Sequence, residues 1–165
     1  MIEINKNIDK NFTTVRAIAK EVWPIAYGAI LSQEQLDYMM EMMYSVPSLQ
    51  KQADEKGNRF VVVTENKIPV GFAAYEFNYN KKPKTRVHKI YILPAHQGNG
   101  IGKQLIDFIA NEAKQRHQKA LVLNVNKKNI AIRFYERIGF TVISEEVIDI
   151  GNGYVMDDYV MEILI

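Results

Sequence analysis

The sequence predicts an α/β chain of the α+β kind, with a mixed central sheet of about six to seven strands flanked by about four helices. Three observations predict it. Helical patterns fill the first third of the chain, and strand patterns follow them. From residue 85 onward strand, helix, strand, helix and two further strands alternate, which calls for a parallel, right-handed crossover between residues 85 and 125. The 165 residues are 47% hydrophobic and 24% charged, with no linker, repeat or low-complexity tract, so residues 1–165 read as one domain.

Each element has its own signal. Residues 1–8 alternate weakly and suit a short first strand. Residues 13–22 carry Val15, Ala17, Ile18, Ala19 and Val22 at helical spacing, and Trp23-Pro24 ends or kinks that helix. Ser32 with Gln35 forms a capping box for a second helix, with Leu36, Met39, Met40 and Met43 on one face and Tyr38 and Met42 on another. Ser48 caps a further turn of helix before Gly57. Residues 60–64 are a buried-strand run, Asn66-Lys67 a hairpin turn, and residues 70–77 the next strand. Residues 80–84 form an exposed lysine-rich loop, and residues 85–93 another strand. Ile101, Leu105, Phe108, Ile109 and Ala113 make the apolar stripe of the following helix. Residues 121–123 are a central strand. Asn129 caps a helix whose face is Ala131, Phe134, Tyr135 and Ile138, and Gly139 suits its C-terminal end. Residues 140–148 and 155–164 are strands joined by Gly151-Asn152-Gly153.

Composition removes whole classes of function. There is no cysteine, so a disulfide framework and a thiol nucleophile are both excluded. Three histidines make a structural zinc site a poor expectation, and no metal is assigned. A net charge of +2 is too small to argue for a nucleic-acid partner. No apolar run is long enough for a membrane span or a signal peptide, so no membrane partner is expected and the expected address is the cytoplasm. Oligomeric state stays open, a homodimer included.

The most informative stretch is Gln97-Gly98-Asn99-Gly100-Ile101-Gly102-Lys103, between the strand at 85–93 and the helix that follows. Glycine permits a tight turn and close approach to a ligand, and a helix N-terminus offers unpaired N–H groups and a positive dipole end. Strand, glycine turn and helix start together suit a phosphate. A Walker loop is excluded, because Gln104 follows Lys103 where Ser or Thr is needed. The dinucleotide fingerprint fails too, since the glycines run G-x-G-x-G. On these residues alone, a phosphate cradle and an ordinary helix-capping turn both remain.

What is left is Q-x-x-G-x-G at Gln97, Gly100 and Gly102, which resembles the pyrophosphate loop of the GNAT superfamily of N-acetyltransferases. Residues 126–140, Asn-Lys-Lys-Asn-Ile-Ala-Ile-Arg-Phe-Tyr-Glu-Arg-Ile-Gly-Phe, resemble a second GNAT pattern, N-x-x-A-I-x-F-Y-x-x-x-G-F. In one departure, Asn129 lies two residues before Ala131 and Lys128 fills the usual asparagine place. Residues 87–91, 124–140 and 154–161 are similar to a group of bacterial GNAT enzymes often assigned as diamine or polyamine acetyltransferases.

The resemblance implies acetyl-CoA as acetyl donor. It implies that Gln97, Gly98, Asn99, Gly100, Ile101, Gly102 and Lys103 surround its pyrophosphate, and that Asn129 and Tyr135 also meet the cofactor. The backbones of Ile92 and Leu93 would hydrogen-bond its pantetheine arm. Tyr135 would be the general acid. A phenol with an ordinary pKa of about 10 protonates the leaving thiolate, whose thiol value is near ~8.5. His88, near a position where many relatives carry glutamate, is the candidate base, with an ordinary value near ~6.5. Its strand parity matches Ile90 and Ile92. A half-buried sheet histidine is an equal reading. Trp23, Tyr27, Tyr38 and Asp158 come from regions that meet the acceptor in relatives, although core packing explains Trp23, Tyr27 and Tyr38 as well. The expected partner is a small primary amine, a diamine or polyamine among them, attacked directly in a ternary complex. Two alternatives stand beside it: acetylation of a protein N-terminus or lysine, and a non-catalytic CoA-binding or polyamine-sensing module.

Overall fold

The computed structural model describes residues 1–165. In chain order its elements are β1 (Ile2–Asn5), α1 (Thr13–Tyr27), α2 (Gln33–Tyr44), α3 (Val46–Asp54), β2 (Arg59–Glu65), β3 (Ile68–Glu76), β4 (Lys84–Ile92), α4 (Ile101–Gln115), β5 (Ala120–Asn126), α5 (Ala131–Arg137), β6 (Thr141–Gly151) and β7 (Tyr154–Leu164). The seven strands form one sheet in the order β1-β2-β3-β4-β5-β7-β6. Only β4 and β5 are parallel, and α4 is the crossover between them. The expected mixed sheet is present, with five helices rather than about four.

Side-chain alternation along the strands makes two cores, one on each face. Val61, Val63, Ala73, Leu121, Leu123, Val125 and Met161 face α4 and α5. Phe60, Val62, Phe72 and Ala74 face α1, α2 and α3. The helices supply matching stripes, Ile101, Leu105, Ile109 and Ala113 from α4 on one side and Val15, Ile18, Ala19 and Val22 from α1 on the other.

Three local expectations need correction. First, α1 does not stop at Trp23-Pro24 but continues to Tyr27 with Pro24 inside it. The proline removes one helix hydrogen bond and costs about 3 kcal/mol. Burial of Trp23 (2% exposed) and Tyr27 (8% exposed) at roughly 1.5–3 kcal/mol each offsets that. Second, Ser45 rather than Ser48 caps α3, its hydroxyl accepting from the Ser48 N–H at 3.3 Å. Pro47 then sits in the first turn, where its missing N–H does no harm. Third, residues 79–81 form a short 3₁₀ turn instead of a plain loop. The capping serine of α2 is as expected: Ser32 accepts from Gln35 N–H at 3.2 Å.

A β-bulge reorders β4. Ala74 pairs with Lys89 and Tyr75 with Val87, so His88 is the extra residue. Val87 therefore belongs to the α4 core, while Tyr91 faces the α1 layer. Lys89 is also turned inward at 5% exposure, donating to Gln52 Oε1 at 2.6 Å above the Tyr44 and Phe60 rings.

Candidate active site

The site begins where pairing stops. β4 and β5 pair only at Lys84–Ala120, Thr85–Leu121 and Arg86–Val122. Beyond those residues β4 stays with β3 as far as Ile92, and β5 stays with β7 as far as Asn126. A wedge opens between the two parallel strands. Leu93 N–H donates to Val70 O at 2.8 Å. Hydrogen-bonded and non-bonded pairs alternate in an antiparallel ladder, so Gly71–Ile92 and Ala73–Ile90 are non-bonded pairs. The N–H and C=O groups of Ile90 and Ile92 consequently point away from β3, into the wedge. Gln97 Nε2 occupies the Ile92 carbonyl at 3.0 Å and leaves its N–H available. Leu93 is a correction: its N–H serves Val70 and its carbonyl accepts from His96 at 2.9 Å, so its backbone is spent within the fold. Ile90, rather than Leu93, shares with Ile92 the backbone edge that faces away from β3.

The glycine loop closes one end of the wedge. Gly98 (φ 82) and Gly100 (φ 79) are left-handed, a conformation that frees the turn and points its amides outward. No backbone N–H from Gly98 to Lys103 has a protein partner, and no side chain caps α4. Unpaired amides at the positive end of a 15-residue helix form an anion cradle. Lys103 is exposed and pairs with Asp107 at 2.7 Å, one turn along the helix, so the cradle's donors are backbone groups. Gly102 has a different reason to be glycine. A Cβ there would stand 3.1 Å from Phe134 Cζ, so α5 packs directly on the start of α4.

That contact places Tyr135. Its ring packs at 5.3 Å from Phe134 and 5.6 Å from Phe140, and the residue is 8% exposed. Its hydroxyl bonds no protein group and keeps some exposure. Burial raises its pKa above the ordinary phenol value, and Tyr27 adds to the rise. It stays protonated throughout the neutral range, as a proton donor must. Asn129 Oδ1 accepts from Ala131 N–H at 2.9 Å just ahead of α5, but the capping position is Ile130, which has no side-chain cap, so the expected Asn129 cap is corrected. The Asn129 amide also reaches the Tyr27 hydroxyl, which burial raises and the bonds to Tyr91 and Asn129 pull back.

The opposite side of the wedge belongs to α1 and β7. Tyr27 and Tyr91 share a hydrogen bond at 3.0 Å, bridging the end of α1 to β4. Asp158 on β7 lies 6% exposed beside them, opposite Asn126 in the ladder. Burial raises its carboxyl, the Asn124 amide and Arg86 pull it down, and Glu146 and Asp157 push it up. Trp23 is core: its Nε1–H donates to the Tyr44 hydroxyl at 3.1 Å and its rings are enclosed, so the expected acceptor contact is corrected. Tyr38 donates to Ile150 O at 2.7 Å and stacks with Tyr154 at 5.5 Å, which ties α2 to the β6–β7 hairpin. It builds the wall of the site and leaves the wedge to Tyr27, Tyr91 and Asp158.

His88 is also corrected. The bulge removes it from the parity of Ile90 and Ile92 and sets its Nε2 against Glu76 Oε1 at 2.8 Å. Burial first, and the cations of Arg86, Lys89 and Lys56 next, push its pKa down to about 3. The bulge and the Glu76 contact take the imidazole out of line with Ile90 and Ile92. Tyr91 and Asn124 were not singled out in the sequence. Tyr91 had the parity signal, alternating with Ile90 and Ile92 and opposing them, but nothing marked its hydroxyl as part of a site.

Comparison with known proteins agrees with this geometry. A model of the acetyltransferase (GNAT) domain matches residues 29–162. The chain is 31% identical over 148 residues to a 5-NmdU N-acetyltransferase of Pseudomonas phage PaMx11, covering 89% of this chain and 92% of that one. It is 30% identical over 92 residues to the L-methionine sulfoximine/L-methionine sulfone acetyltransferase of Salmonella typhimurium, 54% of each chain. The matched stretch thus spans about half the length of that relative. Among solved structures, the PaiA N-acetyltransferase of Thermoplasma acidophilum in complex with coenzyme A superposes with a TM-score of 0.82 at 22% identity, covering 100% of this chain and 99% of that one. A glycine cradle, a splayed parallel pair and a tyrosine between them are therefore found in a chain that belongs to the GNAT acetyltransferase family, whose acetyl donor is acetyl-CoA.

Proposed function

We propose that this protein transfers the acetyl group of acetyl-CoA to a primary amine of a small molecule, by direct attack within a ternary complex. The observation that carries the proposal is the Tyr135 hydroxyl, unpartnered and partly exposed, together with a wedge whose edge amides and glycine cradle fit the two polar parts of coenzyme A. The backbone of Ile90 and Ile92 aligns the pantetheine arm, and the amides of residues 98–103 hold the pyrophosphate. The amine approaches from the side of Tyr27 and Asp158. It adds to the thioester carbonyl, and the tetrahedral adduct expels the thiolate, which takes its proton from Tyr135. No cysteine exists to carry an acyl intermediate.

The acceptor class follows from two supports. The phage relative matched over 89% of this chain is named a 5-NmdU N-acetyltransferase. Residues 87–91, 124–140 and 154–161 resemble enzymes often assigned to diamines and polyamines. Diamines and spermidine therefore head a test panel that also contains amino acids, aminomethyl nucleosides and N-terminal peptides. Thiol release from acetyl-CoA, read with a free-thiol reagent, is expected to be fastest with a small amine. A peptide turning over faster by a wide margin would transfer the reading to protein acetylation. Tight CoA binding without amine-dependent thiol release would leave a binding module.

A further inference from the structure

Asp158 carries a chemistry that the tyrosine mechanism leaves unassigned. The acceptor amine arrives mainly as an ammonium, with an ordinary pKa of about 10, and has to lose a proton before it can attack. His88 Nε2 is already engaged with Glu76 at 2.8 Å. Asp158 Oδ1 is sealed from bulk water and has no hydrogen-bond partner, in a residue only 6% exposed. Its other oxygen, Oδ2, accepts from Asn124 Nδ2 at 3.4 Å, and the same amide donates to Glu146 Oε2 at 2.9 Å. Asn124 thus fixes the carboxyl group from β5 and keeps one oxygen free. A buried acceptor without a donor is costly, so such an atom calls for a partner.

Its position in the fold is informative as well. β4 leaves β5 after Val122, whereas Asp158 is paired with Asn126, four residues farther along β5. That is about 13 Å past the last β4–β5 pair, where β5 no longer has β4 beside it. Charge on Asp158 is felt by Tyr27, and charge on Tyr27 is felt by Tyr135. Every element around the carboxyl contributes to its balance: Tyr27 from α1, Arg86 from β4, Asn124 from β5, Glu146 from β6 and Asp157 from β7. No salt bridge joins Arg86 to Asp158, so the carboxyl has a cation nearby but no committed ion pair.

We propose that Asp158 receives the acceptor's ammonium group on Oδ1 and takes its first proton. This rests on the amine-acetylating reading above. The protons balance. The ammonium gives one proton to the carboxylate, which releases it once the product has left the site. The nitrogen lone pair forms the C–N bond, and the C–S bond breaks with its electrons on sulfur. Tyr135 protonates the sulfur and is restored by the second proton that nitrogen loses as the amide forms. The ionised carboxylate facing a cation and the protonated carboxyl are the two ways in which a buried unpartnered oxygen is satisfied. The step alternates between them.

Two measurements test it. In the wild type, kcat/KM for n-butylamine at saturating acetyl-CoA is followed from pH 9 to pH 7. If the ammonium form binds and Asp158 accepts its proton, the value changes less than about threefold over that range. If only free amine reacts, it falls about tenfold per pH unit below the amine's value near ~10, roughly 100-fold in all, and the proposal is overturned. In Asp158→Asn, the ratio of kcat/KM for n-butylamine to that for hydroxylamine, which is largely uncharged at pH 7, is expected to fall by about 10² or more. Asp158→Glu should recover part of that ratio. An unchanged ratio overturns the proposal even where amine acetylation is confirmed. Absence of amine-dependent thiol release in the wild type, with CoA binding intact by calorimetry, overturns instead the reading on which the proposal rests.

Discussion

Replacing Tyr135 by phenylalanine isolates the proposed acid. The ring contacts at 5.3 Å to Phe134 and 5.6 Å to Phe140 survive, since only one oxygen is removed. That oxygen has no protein partner, so no donor or acceptor is orphaned. The fold should therefore lose no more than about 0.5 kcal/mol. Catalysis should lose far more. A positioned general acid contributes about 10²–10⁴-fold, which at 1.36 kcal/mol per decade is about 3–5 kcal/mol of transition-state stabilisation. The raised pKa of Tyr135 also changes the expected pH profile. An alkaline limb near 10 would be expected of an ordinary phenol, but this one stays protonated beyond it. The donor is not thereby mismatched to a thiolate, because burial in the same wedge disfavours both anions. The assay is steady-state thiol release with a free-thiol reagent, beside a thermal melt and CoA calorimetry on the same variant. A Tyr135→Phe protein that binds CoA normally and keeps kcat within about threefold of wild type would falsify the acid role.

Other perturbations separate parts of the site. Gly100→Val forces a β-branched residue to φ 79, a strain of roughly 1–2 kcal/mol, and should weaken CoA binding about tenfold or more while kcat at saturation holds. Gly102→Val should lower both affinity and kcat, because its side chain displaces Phe134 beside Tyr135; calorimetry and kcat together distinguish the two. Gly71→Ala places a Cβ 2.6 Å from Ile92 Cδ1 and 2.7 Å from Tyr91 O, and should destabilise the fold by about 1–3 kcal/mol, seen as a lowered Tm. His88→Gln should change kcat/KM by less than about tenfold. Because the fold holds His88 below its ordinary value, stability from that residue is full above about pH 6.5 and is lost as pH falls toward 3, so the variant should lose less Tm than wild type between pH 7 and pH 5.

Much of the fold could be read from the sequence because periodicity reports which side of an element is buried. The stripe Ile101, Leu105, Ile109 and Ala113 is the buried face of α4, and the run Val61-Val62-Val63 is fully enclosed. The glycine loop could be read too, since Gly98 and Gly100 do adopt positive φ. Events that depend on two strands at once could not. The bulge at His88 arises from the register with β3, and nothing within residues 85–93 announces it. One extra residue exchanged the facing of everything before it relative to everything after. It detached His88 from Ile90 and Ile92 and turned Lys89 inward. The end of β4–β5 pairing after Arg86 is likewise a property of the pair. Trp23 misled in the opposite way, because an aromatic in a substrate-covering region looks the same as one that fastens α1 to α2.

The candidate site is made of what the sheet declines to pair. The backbone groups of Ile90, the Ile92 N–H, the amides from Gly98 to Lys103, the Tyr135 hydroxyl and Asp158 Oδ1 are polar groups without protein partners. Many other buried polar groups are matched, although Asn58 Oδ1, Thr64 Oγ1 and Arg86 Nε are not. Trp23 meets Tyr44, Thr85 meets Gln118, and even the enclosed Lys89 has Gln52, although burial still pulls its pKa down to about 8. Unmatched groups oppose folding, so their concentration needs compensation from the two cores on either face. Packing is close at both edges of the wedge. Gly71 leaves no room beside Ile92 and Tyr91, and Gly102 leaves little beside Phe134. These contacts fasten β4 to β3 and α5 to α4, so each edge of the wedge is held by its own neighbour and the donors stay directed at a ligand instead of at each other.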